Sequence, residues 1–234
     1  MTIRAILFDV GGPLDTEILH EQGIDRGIIE AFASQDISVS SDALNAASEA
    51  AVKAFAPNAY AAMVWSVSRQ NRDVYERAWS HFRSRDGQRA EARGGFELRP
   101  GIESLLKALQ VAGLAMGLAA NQPVRVIAEL DRMGIGKFFS HREVSGHHGF
   151  HKPDVRLFLR ACEDLGIAPA DCIMVGDRVD NDIVPARLLG MATVLFRTGR
   201  HWKQLPRSPD EMPDREVVSV EELRSAILDL VARS

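Results

Sequence analysis

The amino-terminal residues show the clearest hydrophobic pattern in the chain. Residues 3–8 form an almost unbroken apolar run that includes β-branched and aromatic side chains. Such a run is typical of a strand buried on both faces, and these strands occur almost only in parallel sheets. The run ends at Asp9, and the sequence Gly11-Gly12-Pro13 that follows favours a sharp turn. We therefore predict a buried strand that ends at a carboxylate.

Residues 16–94 have a different pattern, with little strand signal and many Ala, Glu, Arg and Ser residues. Apolar side chains recur at helical spacing within this segment, which predicts several helices. Gly87, Gly94 and Gly95 fall in a charged stretch that suits a linker. We expect an all-α domain that is inserted into a second domain. The expected boundaries are 16–94 for the insert, and 1–15 with 95–234 for the second domain.

Short apolar runs and helical repeats alternate from residue 96 onward. The predicted strands cover residues 114–119, 138–144, 172–175, 192–196 and 217–219. Helical segments lie between them, and several end at a glycine, as at Gly113, Gly134 and Gly190. This alternation predicts an α/β fold, with a doubly wound parallel sheet and helices on both faces. The amino-terminal strand would join this sheet across the helical insert.

Composition and charge narrow the class of protein. A chain of 234 residues with 46% hydrophobic content can bury a substantial core. The net charge of -4 gives no general reason to expect a nucleic-acid partner. No apolar run reaches the length of a membrane span or a signal-peptide core, so we expect a cytoplasmic protein without a membrane partner. The only cysteines, Cys162 and Cys172, are expected to pack in the core.

Polar residues follow each of the main predicted strands. These residues are Asp9 after the first strand, Ala120-Asn121 after the second, His151-Lys152 after the third, and the run from Gly176 to Asp182 after the fourth. In a parallel sheet the carboxyl ends of the strands meet at one edge, so we expect these residues to lie together. That edge would hold several carboxylates and one lysine.

Carboxylates that meet in a crevice repel one another unless a cation lies between them. Asp9, Asp177, Asp180 and Asp182 would create this situation, and Mg²⁺ prefers such oxygen ligands. Lys152 adds a positive charge that could face a phosphoryl group, whose transfer depends on positioning and charge neutralisation. The sequence therefore predicts a Mg²⁺ site next to a site for a phosphorylated ligand.

These motifs, in this order, resemble the four motifs of the haloacid dehalogenase superfamily. The motifs are Asp9 in an hhhhDxxG context, Asn121 after the second strand, Lys152-Pro153-Asp154, and the GDxxxxD run from Gly176 to Asp182. The resemblance extends over nearly the whole chain, because the helical insert lies where the family has its first-type cap domain. It implies a Rossmann-like core, a mobile cap and, usually, Mg²⁺-dependent hydrolysis of phosphate esters.

The resemblance also implies a role for each motif residue. Asp9 would attack phosphorus and form an aspartyl-phosphate, while Lys152 would hold both Asp9 and the phosphoryl group. Metal ligands would come from Asp9, Asp177, Asp182 and the backbone carbonyl of Gly11. A small phosphorylated metabolite would contact Gly12, Ala120 and Asn121. The sequence does not indicate which metabolite it is or which oligomer forms.

Two of the motifs depart from the usual family pattern. Gly11 stands where phosphatases of the family have a second aspartate, which serves as general acid and base. Loss of such a group typically costs about 10²–10⁴ in rate. Ala120 replaces a Ser or Thr, which removes a hydroxyl hydrogen bond worth on the order of 1 kcal/mol. We therefore expect a slow or specialised phosphatase.

Several alternatives remain open at the level of the sequence. The departures at Gly11 and Ala120 are compatible with a non-catalytic protein that binds a phosphorylated ligand or a partner. Hydrolysis of carbon–halogen bonds is less compatible, because that branch of the family is metal-free. Carbon–phosphorus cleavage would require a cap lysine, for which Lys53 is the candidate. We favour a solvent-exposed structural role for Lys53.

The loop that precedes Lys152 contains a cluster of histidines. The cluster comprises His141, His147, His148 and His151. Their irregular spacing favours a polar surface loop over a transition-metal site. His148 or His151 could instead replace the missing acid and base group.

Overall fold

The computed structural model describes residues 2–84 and 96–234, and the chain divides into two compact units. The core unit comprises Met1–Thr16 and Phe96–Ser234, and the helical unit comprises Glu17–Gly95. The predicted linker glycines Gly87, Gly94 and Gly95 lie outside the described residues. None of the helices in the described part of the chain has the length and apolar character of a membrane-spanning segment.

In the described residues, the core unit is built on a parallel five-stranded sheet with the strand order β2-β1-β3-β4-β5. The strands are β1 (Ala5–Phe8), β2 (Ala115–Leu118), β3 (Cys172–Gly176), β4 (Ala192–Phe196) and β5 (Arg215–Val217). β1 pairs with strands on both sides, because Ala5 lies opposite both Ala115 and Cys172. The prediction of a Rossmann-like parallel sheet is therefore confirmed.

Helices α1–α4 lie in the helical unit. They are α1 (Ile18–Ala33), α2 (Ser41–Lys53), α3 (Ala59–Val67) and α4 (Arg72–Ser84). The side chains of Ser40 and Asn58 cap α2 and α3 by accepting hydrogen bonds from backbone N–H groups in the first turn. Ile28, Phe32 and Met63 are fully buried in an apolar cluster formed by this unit's own residues.

Helices α5–α10 belong to the core unit. They are α5 (Ile102–Val111), α6 (Val126–Arg132), α7 (Ser145–His148), α8 (Val155–Leu165), α9 (Val184–Leu188) and α10 (Val220–Ala232). β1 contributes Ile6 and Phe8 to one apolar cluster and Ala5 and Leu7 to another, and these four residues are completely buried. Because successive strand residues point to opposite faces, both faces of the sheet are covered. This explains the unbroken apolar run at the start of the chain.

The strand predicted for residues 138–144 is wrong. The structure has a short 3₁₀ turn at Gly136–Phe138 and an isolated bridge between Gly117 and His141. Phe138 and Phe139 are consecutive, yet both belong to the same apolar cluster. A strand would direct neighbouring side chains to opposite faces, so this packing requires a turned backbone.

Candidate active site

The carboxyl ends of β1 and β3 bring three carboxylates together. Asp9 follows β1, whereas Asp177 and Asp182 follow β3. Each contributes a carboxylate oxygen, and these oxygens lie within 4.8 Å of one another. Asp182 is completely buried and Asp177 nearly so. The structure thus places the predicted acidic ligands in a single group.

Lys152 lies between two of these carboxylates. Its Nζ is 2.9 Å from Asp9 Oδ2 and 2.6 Å from Asp182 Oδ1. Burial opposes the charge on the ammonium, but the carboxylates of Asp182 and Asp9 raise the pKa of Lys152 above its usual value. Lys152 is therefore a buried cation at the centre of the acidic group.

Asp9 is only partly stabilised as a carboxylate. The pKa of Asp9 is raised to about 6, because burial and the nearby Asp182 carboxylate together outweigh the Lys152 ammonium, which lowers it. The Val10 N–H donates to Asp9 Oδ1 over 2.8 Å and also favours ionisation. An additional positive charge beside Asp9 would favour the ionised, nucleophilic form.

The connection after β3 is a tight turn that contains a stretch of π-helix at Val179–Ile183. The sequence had predicted only a short α-helix that begins at Asp182. The Arg178 N–H donates to Asp182 Oδ2 over 3.0 Å, and the Asp182 N–H donates to the Arg178 carbonyl over 3.0 Å. A Cβ atom on Gly176 would lie 2.3 Å from Asp182 Cγ. Gly176 is therefore required for Asp182 to approach the sheet.

Gly12 makes a second close approach. Its φ of +81° is in the left-handed region, and a Cβ atom at this position would lie 2.8 Å from Asp177 Cβ. The Gly12 carbonyl accepts a hydrogen bond of 2.6 Å from Arg99 Nε, and Arg99 Nη2 donates to Thr198 Oγ1 over 2.8 Å. Gly11 is buried in the same turn, where it forms an isolated bridge with Asp15.

The side chain of Asn121 is connected to the backbone of Lys152. Asn121 Oδ1 accepts from the Lys152 N–H over 2.7 Å, and Asn121 Nδ2 donates to the Lys152 carbonyl over 3.0 Å. Asn121 is also exposed, whereas Ala120 is buried and its carbonyl accepts from the Ser145 N–H. Asn121 thus links the ends of the second and third motifs.

The histidine cluster has several structural contacts. His141 is buried, and its Nδ1 is 2.9 Å from Asp164 Oδ2. His147 Nδ1 accepts from the Val144 N–H, and His148 Nδ1 accepts from the Phe150 N–H. These contacts stabilise the loop around α7.

Sequence reasoning missed the residues that support the site from outside the motifs. Arg99 and Thr198 hold Gly12, and Gln204 contacts the turn after β3. Arg99 and Thr198 are far apart in the sequence, and Gln204 lies in the charged, proline-containing stretch between β4 and β5. The sequence contains no spacing signal that would have identified them.

Comparison with known proteins adds evidence that is independent of this geometry. A family model described as haloacid dehalogenase-like hydrolase matches residues 3–190. A glyceraldehyde 3-phosphate phosphatase of Methanopyrus kandleri is 33% identical over 132 residues, which cover 56% of this chain and 57% of that protein. A phosphoserine phosphatase of Thermus thermophilus is 34% identical over 132 residues, or 56% and 51% of the two chains. The chain thus matches about half the length of these relatives.

Solved structures share the fold over the full chain. A crystal structure described as a predicted phosphoglycolate phosphatase from Haemophilus somnus 129pt has a TM-score of 0.70 at 22% identity and covers 98% of both chains. A 2-haloacid dehalogenase from Pseudomonas syringae has a TM-score of 0.60 at 17% identity, covering 97% of this chain and 99% of that one. Since proteins described by different chemistries share this architecture, the fold alone does not select the reaction.

Proposed function

The chain belongs to the haloacid dehalogenase-like hydrolases, and we propose that it is a Mg²⁺-dependent phosphatase of small phosphorylated metabolites. The principal support is Lys152, which forms ion pairs with both Asp9 and Asp182 beside Asp177. The names of the relatives, which include phosphatases of glyceraldehyde 3-phosphate and phosphoserine, support the substrate class.

The donor set fits a hard divalent cation. The described cluster of Asp9, Asp177 and Asp182 contains only carboxylate oxygens, and the single ammonium of Lys152 does not balance three negative charges. Asp9, Asp177, Asp182 and the Gly11 carbonyl would hold Mg²⁺. When bound, the ion would neutralise negative charge on the phosphoryl oxygens.

Asp9 would perform the chemistry as a nucleophile. One of its carboxylate oxygens attacks phosphorus, the bond from phosphorus to the leaving oxygen breaks, that oxygen takes up a proton from solvent, and an aspartyl-phosphate forms. Lys152 holds Asp9 in position and offsets the charge of the phosphoryl group. Water then attacks phosphorus, which releases inorganic phosphate and regenerates the Asp9 carboxylate. Gly11 supplies no proton donor, so substrates with a good leaving group should react fastest.

The test is release of inorganic phosphate from a panel of phosphomonoesters and acyl phosphates. We expect Mg²⁺-dependent release by the wild-type protein and only background release by Asp9→Asn. Asp131→Asn, which changes an exposed carboxylate of the same unit, is the control and should retain wild-type activity. Equal phosphate release by wild type and Asp9→Asn would refute the proposal.

A second candidate function is binding of a phosphorylated ligand without turnover. Gly11 and Ala120 favour this alternative, because they lack the acid–base group and the hydroxyl that the resemblance leads us to expect. Stabilisation of the protein by a phosphorylated ligand, without phosphate release, would support it. An acid-stable phosphoryl adduct on Asp9 would exclude it.

A further inference from the structure

Gln204 is a buried polar side chain that contacts the turn next to the acidic site and lies outside the four motifs. It lies in the connection between β4 and β5 and is only 1% exposed. Its Oε1 accepts a hydrogen bond of 2.7 Å from the Val179 N–H, and its Nε2 donates to Asp180 Oδ1 over 3.0 Å. A single amide thus binds two consecutive residues of the turn after β3.

That turn holds one of the three acidic residues and directly follows another, because Asp182 lies within it and Asp177 immediately precedes it. Arg178 is paired with Asp180 at 2.6 Å, and its backbone exchanges hydrogen bonds with Asp182. Val179 is completely buried, so its N–H requires a partner inside the protein. Gln204 supplies that partner.

Gln204 is itself attached to the sheet. Its backbone N–H donates to the His201 carbonyl over 2.8 Å, and its backbone carbonyl accepts a hydrogen bond from the Arg197 guanidinium. Arg197 follows β4 and pairs with Glu216 of β5 at 3.0 Å. The backbone of Gln204 is therefore held by Arg197, which connects the end of β4 to β5.

We propose that Gln204 is a positioning residue for the cation site, which holds the Arg178–Asp182 turn so that Asp177 and Asp182 stay close to Asp9. This inference rests on the proposed Mg²⁺-dependent function. Residues that orient metal ligands without binding the metal typically contribute 10- to 100-fold to metal affinity. Gln204 would act through hydrogen bonds to the turn, without contacting the ion or the substrate.

The test measures Mg²⁺ binding to the full chain by calorimetry. Gln204→Met preserves the length of the side chain and removes both hydrogen bonds to the turn. We expect Mg²⁺ affinity to fall about 10-fold and hydrogen exchange of the Val179 amide to accelerate. The control is Thr193→Val, because Thr193 is a completely buried β4 residue whose hydroxyl exchanges hydrogen bonds with Asp214. It should destabilise the fold while leaving Mg²⁺ affinity unchanged.

A second variant keeps the proposal testable if Gln204→Met does not fold. Gln204→Asn keeps the amide but shortens its reach by one methylene, so its hydrogen bonds to Val179 and Asp180 should weaken, exchange of the Val179 amide should accelerate and Mg²⁺ affinity should fall. Unchanged Mg²⁺ affinity in this variant would count against the positioning role. Unchanged Mg²⁺ affinity in Gln204→Met, or equal losses in Gln204→Met and Thr193→Val, would overturn the positioning role alone. Absence of Mg²⁺ binding by the wild-type protein would overturn both the proposed function and this inference.

Discussion

Gly12 lies so close to Asp177 that it has no room for a side chain. A methyl group on Gly12 would be 2.8 Å from Asp177 Cβ, and the φ of +81° disfavours any L side chain. We predict that Gly12→Ala displaces Asp177 and reduces Mg²⁺ affinity by at least about 10-fold. The left-handed backbone adds a cost of about 1–2 kcal/mol in folding free energy. Calorimetric titration with Mg²⁺ and denaturant unfolding measure the two effects.

Gly113 provides a matched control for this substitution. Its φ is +79°, but a Cβ atom there would meet nothing within 4 Å. Gly113→Ala should therefore show a similar loss of stability from backbone strain and no change in Mg²⁺ affinity. If the two variants bind Mg²⁺ equally well, the contact between Gly12 and Asp177 has no role in the site.

Separate measurement of kcat and KM can show whether Asn121 positions Lys152 or binds substrate. Both ends of its amide hold the backbone of Lys152, so Asn121→Ala should shift the ammonium relative to Asp9 and lower kcat on the order of 10-fold to 100-fold. KM should change little if this positioning is the main role of Asn121. Gln122→Ala, at the neighbouring residue, is the control. A rise in KM at constant kcat would instead show that Asn121 binds substrate directly.

At the level of secondary structure, apolar runs in the sequence correctly predict the strands that are buried on both faces. β1 and β3 lie within or next to their predicted ranges, because each presents successive side chains to two separate apolar clusters. Phe138 and Phe139 are as apolar as the residues of these strands, but both rings enter one cluster. Hydrophobicity alone does not distinguish these cases, since the difference depends on which neighbours cover the segment.

His141 connects this irregular segment to α8 and should make stability depend on pH. Burial lowers the pKa of His141, and the positive charge of Arg160 lowers it further. The hydrogen bond and charge of Asp164 and the charge of Glu143 oppose this shift without cancelling it. Because the folded pKa lies below the unfolded value of about 6.5, the unfolded state takes up a proton first as the pH falls. Stability from His141 is therefore complete above about pH 6.5 and decreases at lower pH.

The measurement compares the free energy of unfolding of wild type and His141→Gln between about pH 7.5 and about pH 5. Wild type should lose more stability over this range than the variant, in which position 141 does not titrate. Contributions from Asp9 and other carboxylates are common to both proteins and cancel in the difference. Parallel pH profiles would mean that His141 is not held neutral in the fold.

At the scale of the whole molecule, the sequence could predict which motifs converge but not what supports them. Strand order places Asp9 and Asp177 at one edge of a parallel sheet, and this follows from topology alone. Arg99 and Gln204 support the site through contacts between segments far apart in the chain. Such contacts depend on loop conformations that leave no periodic pattern in the sequence.

The core unit should fold without the helical unit. Its chain leaves and returns at adjacent positions, because the Thr16 N–H donates to the Glu97 carbonyl over 2.9 Å and Asp15 forms an antiparallel bridge with Leu98. Among the residues that the structure describes, the two apolar clusters on the sheet consist of core-unit residues, and the cluster around Phe32 consists of helical-unit residues. Replacing residues 17–95 with a short Gly-Ser turn would thus close a hairpin without removing side chains from the sheet's clusters. We expect this shortened protein to unfold cooperatively, as measured by circular dichroism, and to bind Mg²⁺, as measured by calorimetry. The same shortened protein with Asp9→Asn is the control for Mg²⁺ binding at the site. A product without cooperative unfolding would show that the core depends on the helical unit for its stability.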